Sequence, residues 1–123
     1  MTDKVKTVAV DIDGVLAAEP YKGAVYSTEA GWCYENCVPL PNGFELVRRL
    51  KAKGFRVVLY TARWEANRGV TEKWLRDYGL EGLYDELRMD KQSAVMYIDD
   101  RGFRWDDARD EDIDSVAALL EKL

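Results

Sequence analysis

Val8-Ala9-Val10-Asp11-Ile12-Asp13-Gly14 sets a short, β-branched apolar run against an abrupt acidic end. Continuous apolar runs of this length are buried strands, and Val5 to Ile12 reads as one. Two later stretches repeat the pattern. Phe55 to Tyr60 ends in Thr61-Ala62-Arg63, and Val95 to Ile98 ends in Asp99-Asp100-Arg101. Helical patterns lie between and after them. Asn42 can cap a helix over Gly43–Lys53, where Phe44, Val47 and Leu50 recur at three-residue spacing and Gly54 stops it. A second helix is expected from Ala66 to Tyr78, with Val70, Trp74 and Tyr78 on one face and Gly79 past its end. Ile113 to Leu123 closes the chain as a third helix, with Ile113, Val116, Ala117 and Leu120 facing inward. Tyr84 to Met89 reads as a further short strand.

Strands alternating with helices at these lengths imply an α/β fold with a parallel sheet. The expectation is one Rossmann-like, three-layer domain over residues 1–123, with about four to five strands covered on both faces. Right-handed crossovers would put one helix on each side of the first strand. Residues 14–41 interrupt the pattern, since the first strand and its helix are separated by more than a simple connection. This insert carries Tyr21, Tyr26, Trp32 and Tyr34 and ends in Pro39-Leu40-Pro41. It reads either as a short flap beside a site or as a small hairpin whose aromatics pack on the core.

Composition narrows the chemistry. At 123 residues with 47% hydrophobic and 33% charged side chains, the chain suits one globular domain. No apolar run is long enough to span a bilayer, so no membrane partner is expected. Met1-Thr2-Asp3-Lys4-Val5-Lys6 shows no secretory signal, and two cysteines, Cys33 and Cys37, make no disulfide framework. A cytoplasmic location follows as the expectation. Histidine is absent, which removes Ser-His-Asp triads, Cys-His pairs and imidazole metal sites. The net charge of −5 resides wholly in residues 99–123, which hold nine acidic and four basic side chains. Such a chain repels a phosphodiester backbone, which argues against a general nucleic-acid binder while leaving room for a local basic pocket.

In a parallel sheet the carboxyl ends of the strands share one edge, and ligands bind in the crevice beyond it. Asp11, Asp13, Thr61, Asp99 and Asp100 would therefore converge. Two carboxylates about 4 Å apart repel by roughly 4 kcal/mol at an effective dielectric near 20. Three or four in one crevice call for a cation, and all-oxygen ligands suit Mg²⁺. Taken singly, each of these residues has a plainer reading as a turn residue or strand former. Their joint placement after aligned strands is what favours a site.

Asp11-Ile12-Asp13-Gly14-Val15, Thr61, Lys91 and Asp99-Asp100 follow the order of the four motifs of the haloacid dehalogenase superfamily of Mg²⁺-dependent phosphohydrolases, which the chain resembles from Val8 to about Trp105. The segment Pro41–Gly54 is similar to the family's first helix, and the stretch from Thr61-Ala62-Arg63 through Tyr97–Arg101 is similar to small capless members, some associated with surface-sugar biosynthesis. The Thr-Ala-Arg phrase is also similar to the phosphatase half of polynucleotide kinases. The resemblance implies hydrolysis of a phosphate monoester, with Asp11 as nucleophile and Asp13 as general acid and base. It implies Mg²⁺ held by Asp11, the backbone carbonyl of Asp13 and Asp99, with Asp100 behind them. Thr61, with the adjacent backbone at Ala62, would bind a phosphoryl oxygen, and Lys91 would neutralise its charge.

Two positions depart from the motif pattern: Val15 stands where Thr is common, and Gln92 follows Lys91 where Pro is usual. Lys91 precedes Asp99 by only eight residues, so it reaches the crevice only if Tyr84–Met89 delivers it there. Otherwise Arg63 or Arg101 would supply the cation through a two-bond grip on phosphate. Cys33 and Cys37 read as packing residues of the flap.

With a flap in place of a cap domain the crevice would be open. The expected substrate is a small phosphorylated metabolite, a sugar or nucleotide phosphate, with a second subunit covering the site as in a homo-oligomer. The alternatives are a nucleic-acid 3′-end phosphatase and a non-catalytic phospho-ligand binding module of the same fold. A phospho-accepting signalling receiver is excluded by motif order, because there the acidic pair comes first and the lysine last.

Overall fold

Val57, Val58 and Leu59 are all buried, and they form the middle of the central strand. In the computed structural model, which describes residues 5–18, 34, 37–106 and 111–122, β1 (Thr7–Val10), β2 (Arg56–Tyr60) and β3 (Glu86–Arg88) make a parallel sheet in the order β1-β2-β3. Val8 pairs with Val57 and Val10 with Leu59, while Leu59 pairs with Leu87. These residues share one sheet face, since side chains alternate along a strand. α1 (Pro41–Ala52), α2 (Arg68–Asp77, preceded by the 3₁₀ turn Glu65–Asn67) and α3 (Glu111–Leu120) complete the fold.

All three helices feed one apolar cluster against that face: Phe44, Val47 and Leu50 from α1, Trp74 and Leu75 from α2, and Leu120 from α3. Phe44 meets Trp74 edge-to-face with ring centroids 5.8 Å apart. Burial of a leucine such as Leu50 or Leu59 contributes roughly 1.5–3 kcal/mol. α3 is tied to α1 by the cluster and by ion pairs at its rim, Arg49 with Asp114 and Lys53 with Glu121. Its Ile113, Val116 and Ala117 are only half-buried. On the opposite sheet face Thr7 and Ala9 are exposed. Among the described residues the layering at β1 is therefore helices on one side, not the three layers expected, because every helix packs into the same cluster.

The sheet also holds three strands where four to five were expected. The short strand anticipated at Tyr84–Met89 is present as β3, whereas Val95–Ile98 forms none. Val95 and Ile98 stand fully exposed, and the segment is held by its own local bonds. The Tyr97 hydroxyl donates to the Gln92 carbonyl, and Asp99 accepts the backbone N–H groups of Arg101 and Gly102. These bonds engage backbone on either side of the segment, at Gln92, Arg101 and Gly102. β1 is consequently an edge strand among the described residues.

Helix starts differ in detail. α1 begins at Pro41 rather than after an Asn42 cap, since proline at the first helical position needs no N–H partner. Gly54 and Gly79, both at positive φ, end α1 and α2 where expected. Tyr78 is exposed, and Thr71 takes its place on the buried face of α2. Of the insert, the described ends form a small antiparallel bridge: Ala18 donates to Val38 and Leu40 to Leu16, both at 2.8 Å. Tyr34 and Cys37 are buried, while Tyr21, Tyr26, Trp32 and Cys33 lie outside the described residues. No helix among the described residues is long and apolar enough to cross a membrane.

Candidate active site

Parallel pairing carries past the named strands at their carboxyl ends and builds the site. Beyond Tyr60–Arg88, the Thr61 N–H donates to Arg88 O at 2.9 Å and the Lys91 N–H to Thr61 O at 3.2 Å. The short β3 thus brings Lys91 beside Thr61, and its side chain crosses to Asp11 on β1's end. Lys91 Nζ lies 3.2 Å from Asp11 Oδ2 and over the Tyr97 ring, 4.6 Å from its centroid. The other Asp11 oxygen accepts the Ile12 N–H at 2.7 Å. Asp11 and Lys91 side chains retain 35% and 18% exposure, so the pair faces an open edge. Burial pushes the Asp11 carboxyl above the ordinary carboxylate range, with Lys91 opposing the shift and Asp13 adding slightly to it.

Asp13 sits in a different arrangement. Backbone N–H groups of Val15, Leu16 and Ala17 converge on Ile12 O, and this tight turn points Asp13 across to the end of β2. There Arg63 grips both carboxylate oxygens, Nε to Oδ2 at 3.0 Å and Nη2 to Oδ1 at 2.7 Å. The guanidinium is held on its other sides as well. Nη1 donates to Thr71 Oγ1 at 3.0 Å, and the Tyr34 ring covers Cζ at 3.8 Å. Thr61 is fully buried, and its hydroxyl oxygen accepts the Arg63 N–H at 3.1 Å.

Asp11, Asp13, Thr61, Ala62, Arg63 and Lys91 thus stand at one sheet edge, with Ala62 half-buried between Thr61 and Arg63. Arg63, expected to face a substrate phosphate, faces Asp13 instead. Asp99 and Asp100 stand apart from them, on the exposed segment after Ile98. The two backbone bonds from Arg101 and Gly102 hold the Asp99 carboxyl below its usual value, and Asp100 is nearly fully exposed beside Arg101. Arg101 is exposed with it and does not reach the Asp11–Lys91 pair as a substitute cation.

The charge balance of this edge differs from the one expected from four carboxylates. Two acids meet here, and each is matched by its own base, Lys91 for Asp11 and Arg63 for Asp13. Among the described residues no group of three His, Cys, Asp or Glu is gathered closely enough to hold a metal ion. As arranged, these side chains alone do not fit a metal centre. What they present is a carboxylate and an ammonium side by side, with a second carboxylate locked nearby. The partners of Arg63 left no mark in the sequence. Thr71 lies eight residues on in a helix, and Tyr34 sits within the insert.

No protein-family model matches the sequence, and no curated protein matches it either. Solved structures do resemble it. A Vibrio cholerae structural-genomics target, known as a crystal structure, is 25% identical, with 96% of this chain and 98% of that one covered and a TM-score of 0.62. A chain of the Pnkp1/Rnl/Hen1 complex is 20% identical with a TM-score of 0.56, and 98% of this chain spans 36% of that one. The protein is thus a mixed α/β domain with a small open parallel sheet, of a fold similar to these two structures.

Proposed function

We propose that this protein hydrolyses phosphate monoesters through an aspartyl-phosphate on Asp11. One observation carries the reading: Lys91 Nζ lies 3.2 Å from Asp11 Oδ2, beside Thr61, at the carboxyl ends of parallel strands. In that setting the carboxylate attacks phosphorus and the alcohol oxygen departs. The ammonium of Lys91 balances charge on the transferring group while the buried Thr61 hydroxyl holds the turn behind it, and most of the rate in such transfers comes from positioning and electrostatics. Asp13 gives the departing oxygen its proton and later takes one from the water that releases phosphate. The likeness in fold to part of the Pnkp1/Rnl/Hen1 complex and the haloacid dehalogenase-like motif order support the same reading.

Mg²⁺ would be held by Asp11, the backbone carbonyl of Asp13 and Asp99, with Asp100 behind them, and would supply positive charge opposite the phosphoryl oxygens. Asp99 joins them if Val95–Ile98 adds to the open edge of β1. The apolar, exposed side chains of that segment and the outer edge of β1, which no described strand covers, favour this addition. The substrate is a small phosphorylated metabolite, since the acidic tail disfavours a nucleic-acid end. Hydrolysis of an aryl phosphate, with and without Mg²⁺, tests the reading. Asp11→Asn should abolish turnover while the protein stays folded, and retained turnover refutes the nucleophile. Mg²⁺ should raise the melting temperature of the wild type and not of Asp99→Asn. A panel of sugar and nucleotide phosphates beside a 3′-phosphorylated oligonucleotide discriminates the substrate classes, and binding without turnover would mark a binding module.

A further inference from the structure

We infer that Arg63 is a positioning residue for Asp13, which fixes the plane of its carboxylate and does not bind substrate. The inference deepens the phosphatase reading and rests on it for its catalytic part. Three features carry it. The Arg63 side chain is 1% exposed, so its guanidinium has no surface to offer a phosphate. Its fork meets both oxygens of one carboxylate, the geometry that gives an arginine pair its directional specificity. The fork is itself braced by elements remote from Asp13, namely Thr71 of α2 and the ring of Tyr34 at the far end of the insert.

The arrangement has a chemical consequence. Each carboxylate oxygen accepts two hydrogen bonds, and the fork takes one on each. One position on each oxygen remains, and the Asp13 side chain keeps 26% exposure, so a departing alcohol can meet one of them there. A carboxylate free to rotate would hold that position only part of the time. Proton donation matters most when the departing oxygen is a strong base, so loss of the fork should be felt through the leaving group and not through substrate affinity.

Arg63→Lys keeps the charge and removes the fork. With an alkyl phosphate, kcat should fall on the order of 100-fold, and with a nitrophenyl phosphate less than about 10-fold, at a nearly constant KM. Asp13→Asn should show the same dependence on leaving group, and the double variant should be no slower than Asp13→Asn. Equal losses for both esters, or a raised KM with kcat retained, would overturn the inference. Thr71→Val removes only the Nη1 partner and repeats the leaving-group comparison if Arg63→Lys does not fold. A thermal double-mutant cycle on Asp13→Asn and Arg63→Lys separates this inference from the phosphatase reading. If the wild type cleaves no phosphate ester, that reading falls. Non-additive losses of melting temperature would still uphold the clamp, and additive losses would overturn it.

Discussion

Replacing Gly43 by alanine sets two effects against each other, and the structure says which wins. Gly43 lies in the first turn of α1, where alanine is the better helix former by up to about 1 kcal/mol. A Cβ there would meet Val15 O at 1.8 Å and Val15 C at 2.6 Å. Ordinary carbon–oxygen contact needs about 3.3 Å, so α1 and the turn after β1 must part by roughly 1.5 Å. The obstacle is backbone, which cannot swing aside as a side-chain tip can. Overpacking of this kind costs about 3 kcal/mol, which exceeds the propensity gain. At an intermediate sensitivity of about 4 °C per kcal/mol, Gly43→Ala should lose roughly 8–12 °C in thermal unfolding followed by circular dichroism. Val15 is two residues from Asp13, so turnover of a phosphate ester should fall with it. Gly69→Ala in α2, where a Cβ meets nothing within 4 Å, is the matched control and should be neutral or stabilising. Equal melting temperatures for the two variants would refute the steric argument.

Two further outcomes follow from charge. Asp85 accepts from Lys51 Nζ at 2.8 Å and from the Val57 N–H at 2.7 Å, and these bonds, that to Lys51 first, hold its carboxyl below the ordinary value. The folded state therefore binds the proton less tightly than the unfolded state. The resulting stabilisation is full above the unfolded value near about 4 and is lost as pH falls through the folded value. Asp85→Asn should lower the melting temperature at neutral pH, with the gap closing in acid; a gap that persists at the lowest pH would contradict this. Lys91→Met leaves the burial of Asp11 unopposed, so its carboxyl should rise further. Because the proposed nucleophile would act as the anion, the acidic limb of the kcat/KM profile should move to higher pH, and an unmoved limb would separate Lys91 from Asp11.

The readable parts of the fold were those where local pattern and burial agree. Phe55 to Tyr60 becomes β2 because its apolar run is buried on both faces, and Gly54 and Gly79 stop helices because each takes positive φ. Val95–Ile98 is also an apolar run and forms no strand, since such a run records hydrophobicity and not whether a neighbouring strand pairs with it. At the site, the neighbourhood of Asp11 and Thr61 was legible from strand ends, and Lys91 was legible conditionally, through the segment that became β3. The Arg63–Asp13 pair was not. An arginine after a strand carries no sign of whether it will be buried, and its partners come from three separate elements.

The bridge at the base of the insert has an evolutionary consequence. Ala18 to Val38 and Leu40 to Leu16 tie the departing and returning strands of chain together beside the turn that carries Asp13. Whatever length of polypeptide runs between those ties hangs from a closed ring, and doubling it adds only about 0.6 kcal/mol of closure entropy. A lineage built on this scaffold can graft, trim or exchange that module to suit a new ligand while Asp11 and Asp13 stay where they are.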